Sequence, residues 1–276
     1  MTAHTVPKAV TIAGSDSGAG AGIQADLKTF SALGVYGSTV ITAVTAQNTL
    51  GVTAVHDIPP EIVRAQLDAV MTDIGAQAAK TGMLSSAPII DAVAAGIRAH
   101  GIHNLVVDPV MVAKSGDRLL REDAIAALKQ QIFPLALVIT PNIWEAQVLT
   151  GYEITSEADM REAARALYAL GPRYVVVKGG HLAGEPVDLL FDGESFERFV
   201  LPRVPTRHTH GTGCTFSAAI AAFLARGHDV PSAVWQAKCY LHEALQHAYP
   251  IGAGQSPVHH FYAWWPARAE AQQEVQ

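Results

Sequence analysis

The stretch Ala9-Val10-Thr11-Ile12-Ala13, followed at once by Gly14-Ser15-Asp16-Ser17-Gly18-Ala19-Gly20-Ala21-Gly22 and then by residues 23–33, sets the reading of the whole chain. An apolar run that halts at glycines and resumes with a helical pattern reads as strand, tight turn and helix. The four glycines let a ligand approach the backbone at the strand's C-terminal end, where open α/β sheets bind their ligands. A plain flexible turn is the alternative. No Gly-Lys-Ser/Thr follows, so this is not a P-loop. The glycines are also out of phase with Gly-x-Gly-x-x-Gly, which disfavours a dinucleotide site.

The same alternation runs to the other end of the chain. Residues 38–46 are rich in Val, Ile and Thr, as a buried strand should be, and residues 105–110, 136–140 and 174–178 are further short apolar runs. Between them lie helical patterns. In residues 61–74, Ile62, Val63, Leu67, Val70, Met71 and Ile74 share one face; in residues 87–100, Ile89, Ile90, Val93 and Ile97 do the same. Pro88 sits near the start of the second, where its missing N–H matters least. Residues 122–132, 157–170, 215–226 and 231–248 are further helices. Strands that are apolar throughout, alternating with helices, predict an α/β fold with a mainly parallel sheet covered on both faces. Asp192-Gly193 between two short apolar runs in residues 188–199 predicts a hairpin that breaks this rhythm. Without repeats or linkers, one domain is expected over residues 1–266, with a polar tail at 267–276.

Composition narrows the function classes. Of 276 residues, 49% are hydrophobic and only 16% charged, enough apolar material for a large buried core. The net charge of -6 leaves no basic footprint for nucleic acid or an anionic membrane. Two cysteines, Cys214 and Cys239, are too few for a disulfide framework and suit reduced thiols in the cytosol. Residues 1–8 carry no apolar signal core, and no run is long enough to span a bilayer, so a soluble cytoplasmic protein is expected.

Three further segments can carry chemistry. His210-Gly211-Thr212-Gly213-Cys214-Thr215 precedes an apolar helix. Backbone amides there can turn toward a phosphate, and the helix start adds partial positive charge. A tight turn capped by Thr fits the same residues. Thr140-Pro141-Asn142-Ile143-Trp144-Glu145 follows a strand, and Asn142 with Glu145 could hold magnesium through water, or simply cap a helix. Lys178-Gly179-Gly180-His181 also ends a strand, where a lysine can reach a phosphate as a point charge. His208-x-His210 and His259-His260 lack a recognisable zinc spacing, and surface or packing histidines are the better account.

These segments together resemble the hydroxymethylpyrimidine/phosphomethylpyrimidine kinase family of thiamine biosynthesis. The resemblance rests on residues 13–17 and 20–30, Val40-Ile41-Thr42-Ala43 with Ala46-Gln47-Asn48-Thr49, and Lys80-Thr81-Gly82-Met83-Leu84. It continues through Asp108-Pro109-Val110-Met111 with Lys114-Ser115-Gly116, the three segments just described, and Pro257-Val258-His259-His260-Phe261 with Trp264-Trp265. It implies a three-layer α/β/α ribokinase-like fold, a homodimer, and magnesium-dependent transfer of phosphate from ATP. The acceptor it implies is 4-amino-5-hydroxymethyl-2-methylpyrimidine and then its monophosphate. By the same resemblance Gln47 bonds the aminopyrimidine, with Gly14, Asp26, Met83 and Val110 lining the substrate pocket. Asp26 could also bond the hydroxymethyl or amino group. Thr140, Asn142, Lys178 and Gly213 fall on the nucleotide side.

Gly211, Thr212, Gly213 and Cys214 match the family's anion hole, with Lys178 beside it in the catalytic set. Cys214 either removes the hydroxyl proton, its thiol lowered by the helix N-terminus, or only positions the hydroxyl. Two departures stand out: Ala19 where glycine is usual, and Ile143-Trp144 in place of Leu-Pro. Two other functions fit the motifs less fully: a pyridoxal or pyridoxine kinase, and a non-catalytic pyrimidine or vitamin-B6 binding protein.

Overall fold

The structure is a computed structural model that describes residues 5–111, 122–180, 182 and 184–265. Lys114-Ser115-Gly116, His181 and the tail at 267–276 lie outside the described residues.

In chain order the elements are β1 (Lys8–Asp16), α1 (Gly22–Ala32), β2 (Tyr36–Gln47), β3 (Val52–Asp57), α2 (Pro60–Asp73), β4 (Ala78–Thr81), α3 (Ala87–Ala99) and β5 (Leu105–Val107). There follow α4 (Glu122–Ala127), β6 (Val138–Ile139), α5 (Ile143–Thr150), α6 (Glu157–Tyr168), β7 (Tyr174–Lys178), β8 (Val187–Phe191), β9 (Phe196–Val200), α7 (Thr212–Ala225) and α8 (Val230–Gln246). The strands form one sheet in the order β3-β2-β1-β4-β5-β6-β7-β8-β9. Pairing from β2 to β7 is parallel, while β3 at one edge and β8 and β9 at the other are antiparallel. The expected mainly parallel sheet is therefore present, and the Asp192-Gly193 turn joins β8 to β9 as a hairpin.

Pleating explains why β5, β6 and the middle of β7 are apolar at every position. Val175 and Val177 of β7 face a core built on α2, α3, α4, α5 and α6, while Val176 faces the opposite core with α1, α7 and α8. Val107 and Val106 of β5 divide in the same way, as do Ile139 and Val138 of β6. A strand with no solvent face cannot show a polar alternation.

Two strands and two helix bounds differ from the sequence reading in ways that bear on the site, and β5 and β6 are shorter than the runs expected. β4 was not expected because Lys80 interrupts its apolar run; β3 was not expected because it is short and mostly exposed. The helix expected over residues 122–132 is α-helical only to Ala127, then winds into a π-helical turn at Leu128–Ile132. α7 begins at Thr212 rather than at residue 215, because Gly211 takes a left-handed conformation (φ 76°) and caps it. That shift matters for function, since it places Thr212, Gly213 and Cys214 on the first helical turn. From Thr215 to Ala225 α7 is buried on all sides, as an all-round apolar helix must be.

Candidate active site

The C-terminal ends of β1, β2, β4, β5 and β7 open into a cavity of about 640 Å³, closed on one side by the first turn of α7. Gly14, Gln47, Met83, Val110, Asn142, Glu145, Lys178, Gly211, Thr212, Gly213 and Cys214 all line it. Residues read separately from the sequence therefore meet in one place. The β1–β2 register shifts between Ala13 and Ser15, at Gly14, so the strand end bends where the Met83 side chain packs against it.

Two of the expected site residues do not line the cavity. Asp26, expected in the substrate pocket, is fully buried beneath it. Its carboxylate accepts from Thr11 Oγ1 at 2.6 Å and pairs with Lys80 Nζ at 2.9 Å. A carboxylate sealed from solvent needs such a cation, and here it is occupied by one. Thr140, expected on the nucleotide side, is also fully buried, with its hydroxyl 3.4 Å from Asp108 Oδ1.

The two glycine-rich turns hold each other in place. A side chain on Gly211 would overlap the Gly20 carbonyl, and one on Gly20 would overlap the His210 ring. Asp16 organises the first turn: its carboxylate accepts from the amides of Gly18 (2.8 Å), Gly20 (3.1 Å) and Ala21 (2.8 Å). His210 Nε2 lies 2.9 Å from Asp16 Oδ2 and 3.5 Å from Gln47 Nε2. Burial pushes the Asp16 carboxyl up, but the bonds from His210, Ala21 and Gly18 outweigh it and hold the group below the usual range. Gln47 is fixed through its backbone, whose N–H donates to Ser17 Oγ at 2.7 Å and whose carbonyl accepts from that hydroxyl at 2.8 Å.

A carboxylate, a lysine and the start of α7 converge around Gly213. A methyl group there would sit 3.4 Å from Asp108 Oδ2 and 3.5 Å from Lys178 Nζ, and Lys178 Nζ is 3.1 Å from Asp108 Oδ1. Thr212 N donates to Thr209 O at 3.4 Å, and the Gly213 and Cys214 amides that follow on the first turn of α7 lie where a helix lacks acceptors of its own. Burial opposes a charged Lys178, but Asp108 and Glu145 raise its pKa above the usual lysine value. Burial pushes Glu145 up to about 7 against the pull of Lys178, with Asp108 adding to the rise.

Asn142 and Glu145 form a capping box on α5. Asn142 Oδ1 accepts from Glu145 N at 3.0 Å, and Glu145 Oε2 accepts from Asn142 N at 2.8 Å. Both face the cavity while serving this structural role.

The acidity of Cys214 bears on its two readings. Burial pushes the thiol up to about 11, with Lys80 pulling down and Asp26 and Asp108 pushing further up, against the reading in which the helix start lowers it.

Four charged or histidine residues of the lining had no individual role in the sequence reading: Asp16, Lys80, Asp108 and His210. Asp16 was legible as the lone acid among four glycines, and Lys80 as a charge inside an apolar run. His210 had been grouped with packing histidines, because its partner Asp16 lies 194 residues away.

The model of the phosphomethylpyrimidine kinase family matches residues 16–259. A hydroxymethylpyrimidine/phosphomethylpyrimidine kinase of Rhizobium meliloti is 58% identical over 93% of this chain and 98% of its own. The Bacillus subtilis pyridoxal kinase, solved with ADP, superposes with a TM-score of 0.87 at 43% identity, over 93% of this chain and 98% of that one. The phosphomethylpyrimidine kinase of Clostridium difficile gives 0.77 at 46%, over 86% and 99%. The two interlocked glycine turns and the lysine facing an open helix start thus belong to a ribokinase-like frame shared with both kinds of vitamin kinase, and the match over residues 16–259 makes this chain a member of the phosphomethylpyrimidine kinase family.

Proposed function

We propose that the protein transfers the γ-phosphoryl group of ATP to the hydroxymethyl oxygen of 4-amino-5-hydroxymethyl-2-methylpyrimidine, and then phosphorylates the monophosphate, supplying the diphosphate for thiamine biosynthesis. The observation that carries this reading is the convergence at Gly213 of the α7 amides, Lys178 and Asp108, within reach of the pocket lined by Gln47, Gly14 and Met83. The α7 amides and Lys178 stabilise charge on the transferred group. The Gln47 amide offers both a donor and an acceptor to the aminopyrimidine edge.

Cys214 acts on this reading as a neutral partner that positions the acceptor hydroxyl. A thiol at about 11 is not ionised near pH 7, and phosphoryl transfer tolerates a weak base because the proton leaves late. Magnesium fits the oxygen donors on the nucleotide side, where Glu145 and Asp108 face the cavity. Glu145 and Asp108 would hold it, and it would supply positive charge to offset that of the phosphates. Asn142 contributes mainly by fixing Glu145, since its oxygen already caps α5. The resemblance further supports a homodimer working in the cytoplasm.

Phosphorylation of pyridoxal is a second reading, favoured by the superposition on the Bacillus subtilis enzyme. Both acceptors are flat nitrogen rings bearing a hydroxymethyl arm. The test is incubation with ATP, magnesium and each acceptor, resolving mono- from diphosphate over time. Both pyrimidine phosphates are expected, and faster than pyridoxal phosphate. No phosphorylated pyrimidine would overturn the first reading; faster pyridoxal turnover would favour the second.

A further inference from the structure

The turn at residues 210–215 is gripped on both sides by one short segment that follows α8. Ahead of the turn, His210 N donates to Ser256 O at 3.1 Å, and His210 bridges to Pro257 as an isolated parallel pair. Behind it, Thr215 Oγ1 lies 3.0 Å from His260 Nε2. Thr215 directly follows Cys214. A threonine inside a helix commonly returns its hydroxyl to the carbonyl one turn back. Here the hydroxyl is turned instead to a histidine 45 residues away.

His260 is itself held firmly. Its carbonyl accepts from Tyr240 Oη at 2.7 Å, and the neighbouring His259 N donates to Ala244 O at 2.9 Å, so both ties run to α8. Only 4% of His260 is exposed and none of Thr215, so water does not compete for their bond. Burial lowers the imidazole to about 3, with Lys28 and His259 adding to the fall; the ring is neutral and its bond to Thr215 does not change near pH 7. His260 does not line the cavity.

We propose that residues 256–260 form a strap that sets the angle of the first turn of α7, and that His260 is a positioning residue for phosphoryl transfer, acting through Thr215. This rests on the kinase reading above. The strap fixes where the Gly213 and Cys214 amides point. Errors of about 1 Å in such donors can cost on the order of 100-fold in rate while leaving ground-state binding intact.

The test compares Thr215→Val, Thr215→Ser, His260→Ala and the double variant Thr215→Val/His260→Ala in steady-state assays. Thr215→Val and His260→Ala are expected to lower kcat about tenfold or more, with KM for the acceptor within about twofold. Thr215→Ser keeps the hydroxyl and should stay near wild type. The double variant should be no slower than the slower single one, because both break one contact. A kcat unchanged in either folded variant, or multiplying losses in the double variant, would refute the strap. If His260→Ala does not fold, Thr215→Val decides.

A second readout does not depend on the acceptor: affinity for ADP-magnesium with aluminium fluoride, set against ADP-magnesium alone. Loss of the first with retention of the second in Thr215→Val supports the strap, and equal affinities in wild type and variant refute it. If the wild-type protein phosphorylates neither ring, the kinase reading fails, and this affinity pair still decides the role of His260.

Discussion

Replacing Asp26 with asparagine separates two accounts of that residue. The sequence places Asp26 against the substrate; the structure buries it beneath the pocket with Lys80, both fully inaccessible to solvent. Burial alone would lower the Lys80 pKa, but Asp26, Cys214 and Asp108 hold it above the usual value, so the cation persists. Asp26→Asn removes the countercharge and leaves an ammonium in a dry site. Removing one partner of a buried pair costs about 3–5 kcal/mol. The asparagine oxygen can still accept from Lys80 or Thr11, which favours about 3 kcal/mol, or a melting temperature lower by about 6–10 °C in a domain of this size. Asp26→Leu combined with Lys80→Met should recover much of the loss, because an apolar pair needs no countercharge. Recovery will be incomplete, since the Thr11 hydroxyl then lacks its acceptor, at about 1–3 kcal/mol. Thermal and urea unfolding measure both effects. An Asp26→Asn protein that melts like wild type, yet shows a tenfold higher KM for the pyrimidine, would refute the buried-pair account and return Asp26 to the substrate.

Other perturbations give equally direct readings. Glu145 titrates near 7 in the folded protein against an ordinary 4.5, so the folded state binds the extra proton between those values. Its contribution therefore favours folding at low pH and is lost as pH rises through about 7, on the order of 3 kcal/mol in all. Glu145→Gln should flatten that part of the profile and melt higher than wild type at pH 8, seen in melting temperature against pH. Ala19 holds a left-handed backbone (φ 59°), a conformation that costs an L-residue about 1 kcal/mol. Ala19→Gly should raise the melting temperature by about 2 °C, and a lower value would show that the loop's own contacts favour alanine. Cys214→Ala should keep kcat within about tenfold and leave its pH profile unchanged between pH 6 and 9, because the thiol stays protonated there. Loss of a basic limb in that range would make Cys214 the base.

The fold was legible where one residue's environment follows from its neighbours in sequence. Strands β1 and β7 announce themselves because their middle residues are mostly apolar and buried on both faces, and β2 because it is rich in Val, Ile and Thr. β4 does not, because Lys80 looks like a surface charge until Asp26, 54 residues earlier, is placed beside it. The start of α7 was misjudged for a local reason: two glycines argue for loop, yet Gly211 caps the helix and Gly213 lies inside it. The site divides along the same line. Glycine turns at strand ends and before a helix can be read from sequence, because the backbone demands them. The bonds of Asp16 to His210 and of Thr215 to His260 cannot, because each joins segments that only the finished sheet brings together.

On the proposed function, the charges around Gly213 constrain how a nucleotide can enter. Lys178 supplies one positive charge, but Asp108 sits 3.1 Å from it and Glu145 is near enough to shift its titration. Lys80 is likewise matched by Asp26. Side chains alone therefore leave the phosphate end of the cavity close to neutral or slightly acidic, not electropositive. A bare triphosphate would meet two carboxylates at the point where its own charge is greatest. Two things reverse that balance. The α7 amides are dipoles fixed by the fold, which attract anions without adding net charge. A divalent cation arriving with the nucleotide would be held by Asp108 and Glu145, which would then attract the complex instead of repelling it. On the proposed function, the same carboxylates that discourage free phosphate favour the metal–nucleotide complex, and the proton on Glu145 near pH 7 is the group that must leave for this preference to take full effect.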